Sequence, residues 1–107
     1  MNRLAAAAAM SLAFAAFAAD EPEFRLVIEN HKFTPEKVEV PAGKKVKLVI
    51  ENRDSTPEEF ESSSLKREKV IPGKSTGTVF IGPLKPGEYK FVGEFNEKTA
   101  KGVVVAK

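Results

Sequence analysis

Apolar residues recur at every second position through most of the chain after Phe24. This period of two is typical of β-strands with one buried face, whereas an amphipathic helix repeats its apolar residues every three or four positions. The segment 44–52 shows the pattern most clearly, because its apolar residues alternate with lysine and glutamate. The inward positions of that segment are Val46, Leu48 and Ile50. We therefore predict an all-β fold.

The same alternation marks further short segments, and turn sequences separate them. The segments are 24–29, 37–40, 78–81, 89–95 and 101–105, with Phe95 on the inward side of its segment. Short strands at this close spacing predict a sandwich or a small barrel. The segment 53–73 breaks the alternation, and we interpret it as a functional or connecting loop with a short helical turn near 62–68.

The start of the chain has the composition of a secretory signal peptide. Arg3 precedes an apolar run rich in alanine, which ends in the small-residue motif Ala16-Phe17-Ala18. An uncleaved membrane anchor is the alternative, but such an anchor needs about 20 apolar residues and this run is shorter. We predict a signal peptide over 1–18, one domain over 19–107, a periplasmic location and no membrane span after cleavage.

Composition excludes several classes of function. The chain has no cysteine, so its core is held by packing without disulfides. Its 17 basic and 15 acidic residues nearly balance, and no cluster of lysine and arginine is interleaved with aromatics, which argues against nucleic-acid binding. A single histidine and the lack of a nucleophile motif argue against a hydrolase, and we predict no catalytic residue.

Three longer motifs stand out in this layout. They are Phe33-x-Pro35 followed by Val38-x-Val40-Pro41-Ala42-Gly43, the strand from Val46 to the Asn-x-Asp turn at Asp54, and Pro86-Gly87-x-Tyr89-x-Phe91. These motifs resemble the cupredoxin family. Together they span almost all of the chain after the predicted signal peptide. The resemblance implies a cupredoxin-like Greek-key β-sandwich.

The ligands of a type 1 copper centre are nevertheless missing. Such a centre needs two imidazoles and a thiolate, usually with a weak axial thioether. The resemblance assigns these four ligand positions to Glu58, Gly93, Asn96 and Ala100. Both methionines, Met1 and Met10, lie in the predicted signal peptide. We therefore predict that the protein is not a conventional copper electron carrier.

A narrower resemblance is carried by longer motifs. The strings Asn52-x-Asp54-x-Thr56-Pro57-Glu58-Glu59-Phe60, Gly82-Pro83-Leu84-Lys85-Pro86-Gly87 and Phe91-Val92-Gly93-Glu94-Phe95 are similar to the periplasmic cupredoxin component of bacterial ferrous-iron uptake systems. This similarity implies a periplasmic iron-binding protein and an inner-membrane permease as partners. Such proteins commonly have histidine after Gly-Glu-Phe, where this chain has Asn96.

Acidic residues are concentrated in the segment 51–61, which holds five of them against one arginine. The resemblance implies that this segment meets the 93–100 segment at one end of the sandwich, near His31. Imidazole and carboxylate ligands suit iron or another divalent metal better than copper(I). Our first hypothesis is a metal site, and assistance of Fe(II) oxidation stays open. The candidate ligands are Glu58, His31, Glu59, Glu94 and Glu97.

Two alternatives involve no metal. The chain could be an interaction module that docks a transport partner through the same acidic end. Equally, the acidic segment could be a solvated surface that pairs with Lys66, Arg67 and Lys69, with His31 an ordinary exposed residue of a turn. The sequence leaves these alternatives open.

Overall fold

A computed structural model describes residues 21–107, so the predicted signal peptide lies outside the described residues. Within this range the chain forms strands joined by short connections, and a single 3₁₀ turn, Glu94–Asn96, precedes the last strand. The strands are β1 (Glu23–Glu29), β2 (Lys32–Thr34), β3 (Lys37–Val40), β4 (Val46–Asn52), β5 (Glu58–Ser62), β6 (Arg67–Ile71), β7 (Ser75–Ile81), β8 (Gly87–Gly93) and β9 (Lys101–Ala106). No helix in this part of the chain has the length and apolar character needed to cross a membrane.

Two sheets pack face to face. One sheet has the strand order β2-β1-β4-β7 and the other has the order β3-β9-β8-β5-β6. The pairs β1–β4 and β3–β9 are parallel, and the remaining pairs are antiparallel. Strands next to each other in one sheet are often separated in sequence, because the chain repeatedly passes from one sheet to the other. The predicted all-β sandwich is confirmed.

The core lies between the sheets and contains the inward residues of the alternating segments. Leu26, Leu48 and Ile50 are fully buried, as the period of two predicted. At the centre lie three phenylalanines, Phe33, Phe60 and Phe91, whose ring centroids are 4.9–6.3 Å apart. Aromatic pairs at such distances add to the stabilisation from burial alone. Phe60 lies two residues from Glu58 in β5, and Phe91 lies two residues from Gly93 in β8. The aromatic cluster is therefore next to the predicted site, on the inward face of both strands.

The interpretation of 53–73 as a loop was wrong. Most of this segment is the antiparallel hairpin of β5 and β6, and residues 63–66 form a turn rather than a helix. The pattern was hidden because β5 buries two polar residues, Glu58 and Ser62, on either side of Phe60. In β6 the apolar Val70 is 49% exposed. The hairpin therefore has strand geometry without the usual alternation of apolar and polar residues.

The segment 89–95 is also shorter as a strand than predicted. β8 ends at Gly93, and the backbone then enters the 3₁₀ turn. As a result Phe95 leaves the inward face and is 51% exposed. The turn also brings Asn96 to Glu58 and Glu94 to Glu59, at the end of the sandwich where β5 begins.

Candidate functional site

The four positions that the resemblance assigned to copper ligands lie together at one end of the sandwich. Glu58 begins β5, Gly93 ends β8, and Asn96 and Ala100 lie on the connection from β8 to β9. This connection is closed by backbone hydrogen bonds from Gly93 N–H to Ala100 O at 2.9 Å and from Ala100 N–H to Asn96 O at 2.8 Å. The fold thus retains the grouping of the positions while the residue types differ.

Glu58 points into the molecule because it shares the inward face of β5 with Phe60. Its side chain is 1% exposed. The backbone N–H of Glu59 and that of Phe95 donate to Oε1 at 3.0 and 2.8 Å, and Nδ2 of Asn96 donates to Oε2 at 2.7 Å. A buried carboxylate is tolerated where protein groups replace the hydrogen bonds lost from water. Both oxygens of Glu58 are engaged in this way.

The residues at this end do not fit a type 1 copper centre. The thiolate position is Gly93, and a methyl group built there would lie 2.6 Å from Cδ of Glu58 and 2.7 Å from Cβ of Ala100. Real side chains do not tolerate such distances, so the Glu58 carboxylate fills the space into which a cysteine side chain would project. Glutamate and asparagine occupy the two positions that the resemblance assigns to imidazoles, and residues 21–107 contain neither cysteine nor methionine as a soft ligand.

The neighbouring acidic residues form a surface cluster, which we call the acidic patch. Glu59 and Glu61 point outward from β5, since they alternate with the buried residues of that strand. The patch consists of Glu59, Glu61, Glu68, Glu94 and Glu97. Glu94 and Glu68 lie close enough to raise the pKa of both Glu59 and Glu61, and Glu97 close enough to raise that of Glu61. The structure thus places Glu94 near Glu59 and Glu61, and Glu97 near Glu61, with Glu94 and Glu97 exposed on the surface.

Repulsion dominates the electrostatics of the acidic patch. The carboxyl group of Glu94 and partial desolvation raise the pKa of Glu59 above its ordinary value of 4.5, and Glu68 and Glu61 add to this effect. The charge of Glu94, again with desolvation and with Glu68, raises the pKa of Glu61. A like charge nearby disfavours ionisation in this way. Ionisation of Glu59 and Glu61 is therefore disfavoured by the neighbouring carboxylates of the acidic patch.

Ion pairing distinguishes the acidic patch from the other charged surfaces of residues 21–107. Among residues 21–107, none of its carboxylates forms an ion pair with lysine or arginine. The proposed pairing with Lys66, Arg67 and Lys69 is therefore absent from the described structure. Arg67 instead donates to the backbone oxygens of Phe80 and Lys66 at 2.8 and 2.9 Å.

Two members of the acidic patch, Glu61 and Glu68, were not among the predicted site residues. They face each other across the β5–β6 hairpin. Strand alternation from Glu59 would have predicted Glu61, but Glu68 could be found only once the hairpin was recognised.

No group of three or more histidine, cysteine, aspartate or glutamate side chains in the described part of the chain is arranged to hold a metal ion.

His31 has a different environment from the acidic patch. It lies with Asn30 in the two-residue turn between β1 and β2, and both have positive φ values of 57° and 56°. Their backbone N–H groups donate to the two carboxylate oxygens of Asp54 at 3.0 and 2.8 Å, and His31 Nε2 lies 3.5 Å from Thr56 Oγ1. Burial would raise the pKa of Asp54, but these two hydrogen bonds outweigh it and lower that pKa.

The comparisons with known proteins agree with this fold. A Cupredoxin-like domain family model matches residues 2–106. An uncharacterized protein of Rickettsia prowazekii (strain Madrid E) is 43% identical over 83 residues, which are 78% of this chain and 66% of that protein, slightly less than two thirds of its length.

Two solved structures share the fold at low identity. Auracyanin A, a "blue" copper protein from Chloroflexus aurantiacus, has a TM-score of 0.70 at 11% identity, covering 82% of this chain and all of the other. A copper binding protein solved in its apo form has a TM-score of 0.70 at 20% identity, covering 79% and 86% of the two chains. With its two-sheet sandwich and this family match, the chain belongs to the cupredoxin-like domain family.

Proposed function

We propose that this protein is a periplasmic module of ferrous-iron uptake that docks a positively charged protein partner through the acidic patch. One observation carries the proposal: five carboxylates gather on one surface without an ion pair to lysine or arginine among the described residues, although the chain pairs many other charges. A partner that brings lysine or arginine to this surface would relieve the repulsion. Complementary charges of this kind guide association and fix the orientation of two proteins.

Phe95 supports docking at the same place. It lies next to Glu94 in the 3₁₀ turn and is 51% exposed. Exposed aromatic residues are enriched at the centres of protein interfaces, where they supply much of the binding energy. The acidic patch with Phe95 thus combines an apolar anchor and surrounding charge.

Membership of an iron-uptake system rests on the sequence motifs. Two of the strings that resemble the ferrous-iron uptake component run from the end of β4 into β5 and around the end of β8, and the string 82–87 connects β7 to β8. The first two supply Glu58, Glu59 and Glu94. The proposed partners are therefore the periplasmic iron-binding protein and the inner-membrane permease of the same bacterium.

The experiment is a binding measurement with each of these two proteins by biolayer interferometry at about 50 and 300 mM salt. We expect wild-type binding to weaken with salt, because screening lengths fall below about 10 Å in this range. The triple variant Glu59→Gln/Glu61→Gln/Glu94→Gln should lose about tenfold in affinity, mainly through slower association. Phe95→Ala should instead act on the dissociation rate.

A matched control is available on the opposite sheet. Glu23→Gln removes a carboxylate that pairs with Lys47 on the outer face of β1 and β4. This variant should bind as the wild type does. Equal affinity of the wild type and the triple variant for both partners would contradict docking through the acidic patch.

A second candidate function is transport of a ferrous ion on the acidic patch itself. It is favoured by the proximity of Glu59 and Glu94, whose carboxyl groups are close enough to interact directly. Carboxylate oxygens are suitable ligands for divalent metals. Anaerobic titration with Fe(II) should then show saturable binding that Glu59→Gln/Glu94→Gln abolishes and Glu23→Gln leaves intact. A titration without saturation in the wild type would eliminate this candidate and leave docking unaffected.

A further inference from the structure

The buried carboxylate of Glu58 connects two parts of the chain that are far apart in sequence. Its oxygens accept hydrogen bonds from Phe95 and Asn96, which lie 37 and 38 positions further along the chain. The first donor is a backbone group and the second is a side-chain amide. Glu58 therefore fastens the 3₁₀ turn to β5 at two points, in a place from which water is excluded.

The same side chain fills the space at the centre of the former ligand positions. A methyl group at Gly93 would collide with both Glu58 and Ala100, so the absence of a side chain at residue 93 leaves room for the carboxylate. Glycine at 93 and glutamate at 58 are thus complementary. Together with the hydrogen bond from Asn96 to Glu58, they make this end of the sandwich a packed and satisfied interior.

We infer that Glu58 and Asn96 form a metal-independent clasp, which takes the place of metal coordination in fastening the 94–100 segment to β5. The clasp consists of the Glu58 carboxylate, the Asn96 amide and the Phe95 backbone N–H. It makes this end of the fold complete without a bound ion. The clasp also positions Glu94, Phe95 and Glu97 on the surface, and only this consequence rests on the proposed docking function.

Unfolding in urea tests the clasp directly on the purified protein. Asn96→Ala should raise the unfolding equilibrium constant about tenfold. Glu58→Ala should raise it about a hundredfold, because it leaves three partly buried donors unpaired. In the Glu58→Ala background, Asn96→Ala should raise the unfolding equilibrium constant by less than about threefold, because the carboxylate that Asn96 binds is already removed. Independent, multiplicative effects of the two changes would overturn the clasp.

Ser62→Ala is the matched control for this cycle. Ser62 is also buried in β5 and its hydroxyl donates to Lys90 O at 2.6 Å, but it lies at the other end of the strand. Ser62→Ala should therefore change the unfolding equilibrium constant by the same factor in the wild type and in the Glu58→Ala variant. If Ser62→Ala were coupled to Glu58→Ala as strongly as Asn96→Ala is, Glu58→Ala would be disrupting the whole of β5. That result would count against the clasp.

Two further measurements keep the inference testable if Glu58→Ala fails to fold. In the wild type, the Phe95 amide should exchange slowly with solvent although its side chain is exposed, and Asn96→Ala should accelerate that exchange. Addition of Cu(II) or Fe(II), or of EDTA, should leave the urea midpoint of the wild type unchanged. Fast exchange at Phe95 in the wild type, or a metal-induced stabilisation that Asn96→Ala removes, would overturn the inference.

Discussion

Two acidic regions lie close together in sequence and have opposite electrostatics. In the segment 51–54, Glu51 pairs with Arg25 and Arg53, and Asp54 accepts two backbone hydrogen bonds. In the acidic patch, Glu59 and Glu61 face other carboxylates. The pKa of Glu51 is lowered, chiefly by its hydrogen bond with Arg53, whereas like charges raise the pKa of both patch residues. One acidic region of the sequence thus becomes two regions with different roles.

The difference follows from which sheet each segment joins. Glu51 lies in β4, whose neighbour β1 carries Arg25 on the same outer face. After the turn at 53–57 the chain enters the other sheet, where the outer residues of β5 meet Glu68 of β6 and Glu94 of the 3₁₀ turn. Acidic residues with cationic or backbone partners are therefore separated from acidic residues that lie beside other carboxylates.

Among substitutions in these two regions, the largest expected effect is that of Asp54→Ala. The Asp54 carboxylate holds the β1–β2 turn, where Asn30 and His31 adopt the left-handed conformation that non-glycine residues seldom take. Loss of two charged hydrogen bonds should destabilise the protein by about 1–2 kcal/mol, allowing for the partial exposure of the carboxylate. Urea unfolding measures this change.

The neighbouring substitution Ser55→Ala controls for perturbation of the loop. Ser55 is exposed, so its replacement should change the free energy of unfolding by less than about 0.5 kcal/mol. The comparison between the two regions would fail if Asp54→Ala proved as stable as Ser55→Ala. Amide exchange at Asn30 and His31 should accelerate only in the Asp54 variant.

Most of the fold could be predicted from the sequence because one face of nearly every strand is apolar. β4 is the clearest case, with Val46, Leu48 and Ile50 all buried. The hairpin of β5 and β6 was missed because burial of Glu58 and Ser62 depends on hydrogen bonds to distant residues, not on hydrophobicity. A pattern based on apolar residues cannot reveal such a strand.

The site could be predicted only in part for the same reason. The family resemblance correctly indicated that positions 58, 93, 96 and 100 lie together. It could not show that the backbone N–H of Phe95 completes the hydrogen bonds of Glu58, because a backbone donor leaves no mark in the sequence. Nor could the resemblance show that Asp54 and Glu59 belong to different acidic regions, since this depends on the turn that leads from one sheet to the other. The metal-ligand role of the five predicted residues stays a prediction.

The pH dependence of stability should separate the two regions, with a smaller effect than that of Asp54→Ala. Asp54 has a lowered pKa in the folded protein, so its stabilisation is present above its ordinary value of 3.8 and is lost as the pH falls through the folded value. Glu59 and Glu61 have raised pKa values in the folded protein, so their repulsion destabilises the fold at neutral pH. This destabilisation disappears as the pH falls through the folded pKa values toward the ordinary value of 4.5.

Thermal unfolding from pH 7 to pH 3 checks these signs with two variants. The penalty of Asp54→Ala should persist at pH 4.5 and shrink only below about pH 4. Any gain in Tm from Glu59→Gln/Glu61→Gln should be largest at pH 7 and absent by about pH 4. A gain that grows toward acid pH would show that repulsion within the acidic patch does not oppose folding.

The smallest expected effects come from single neutral substitutions in the two regions. Glu61→Gln removes a charge that faces Glu94 and Glu68, so it should raise Tm by at most about 2 °C at neutral pH. Glu51→Gln removes the shared partner of Arg25 and Arg53, so it should lower Tm by a similar amount. Both changes should vanish in about 1 M salt, where the screening length is about 3 Å. The two variants alter the same residue type at half-buried strand positions. A shared sign would therefore mean that side-chain packing or strand propensity decides the change in Tm. Opposite signs would assign the change to the charges around each glutamate.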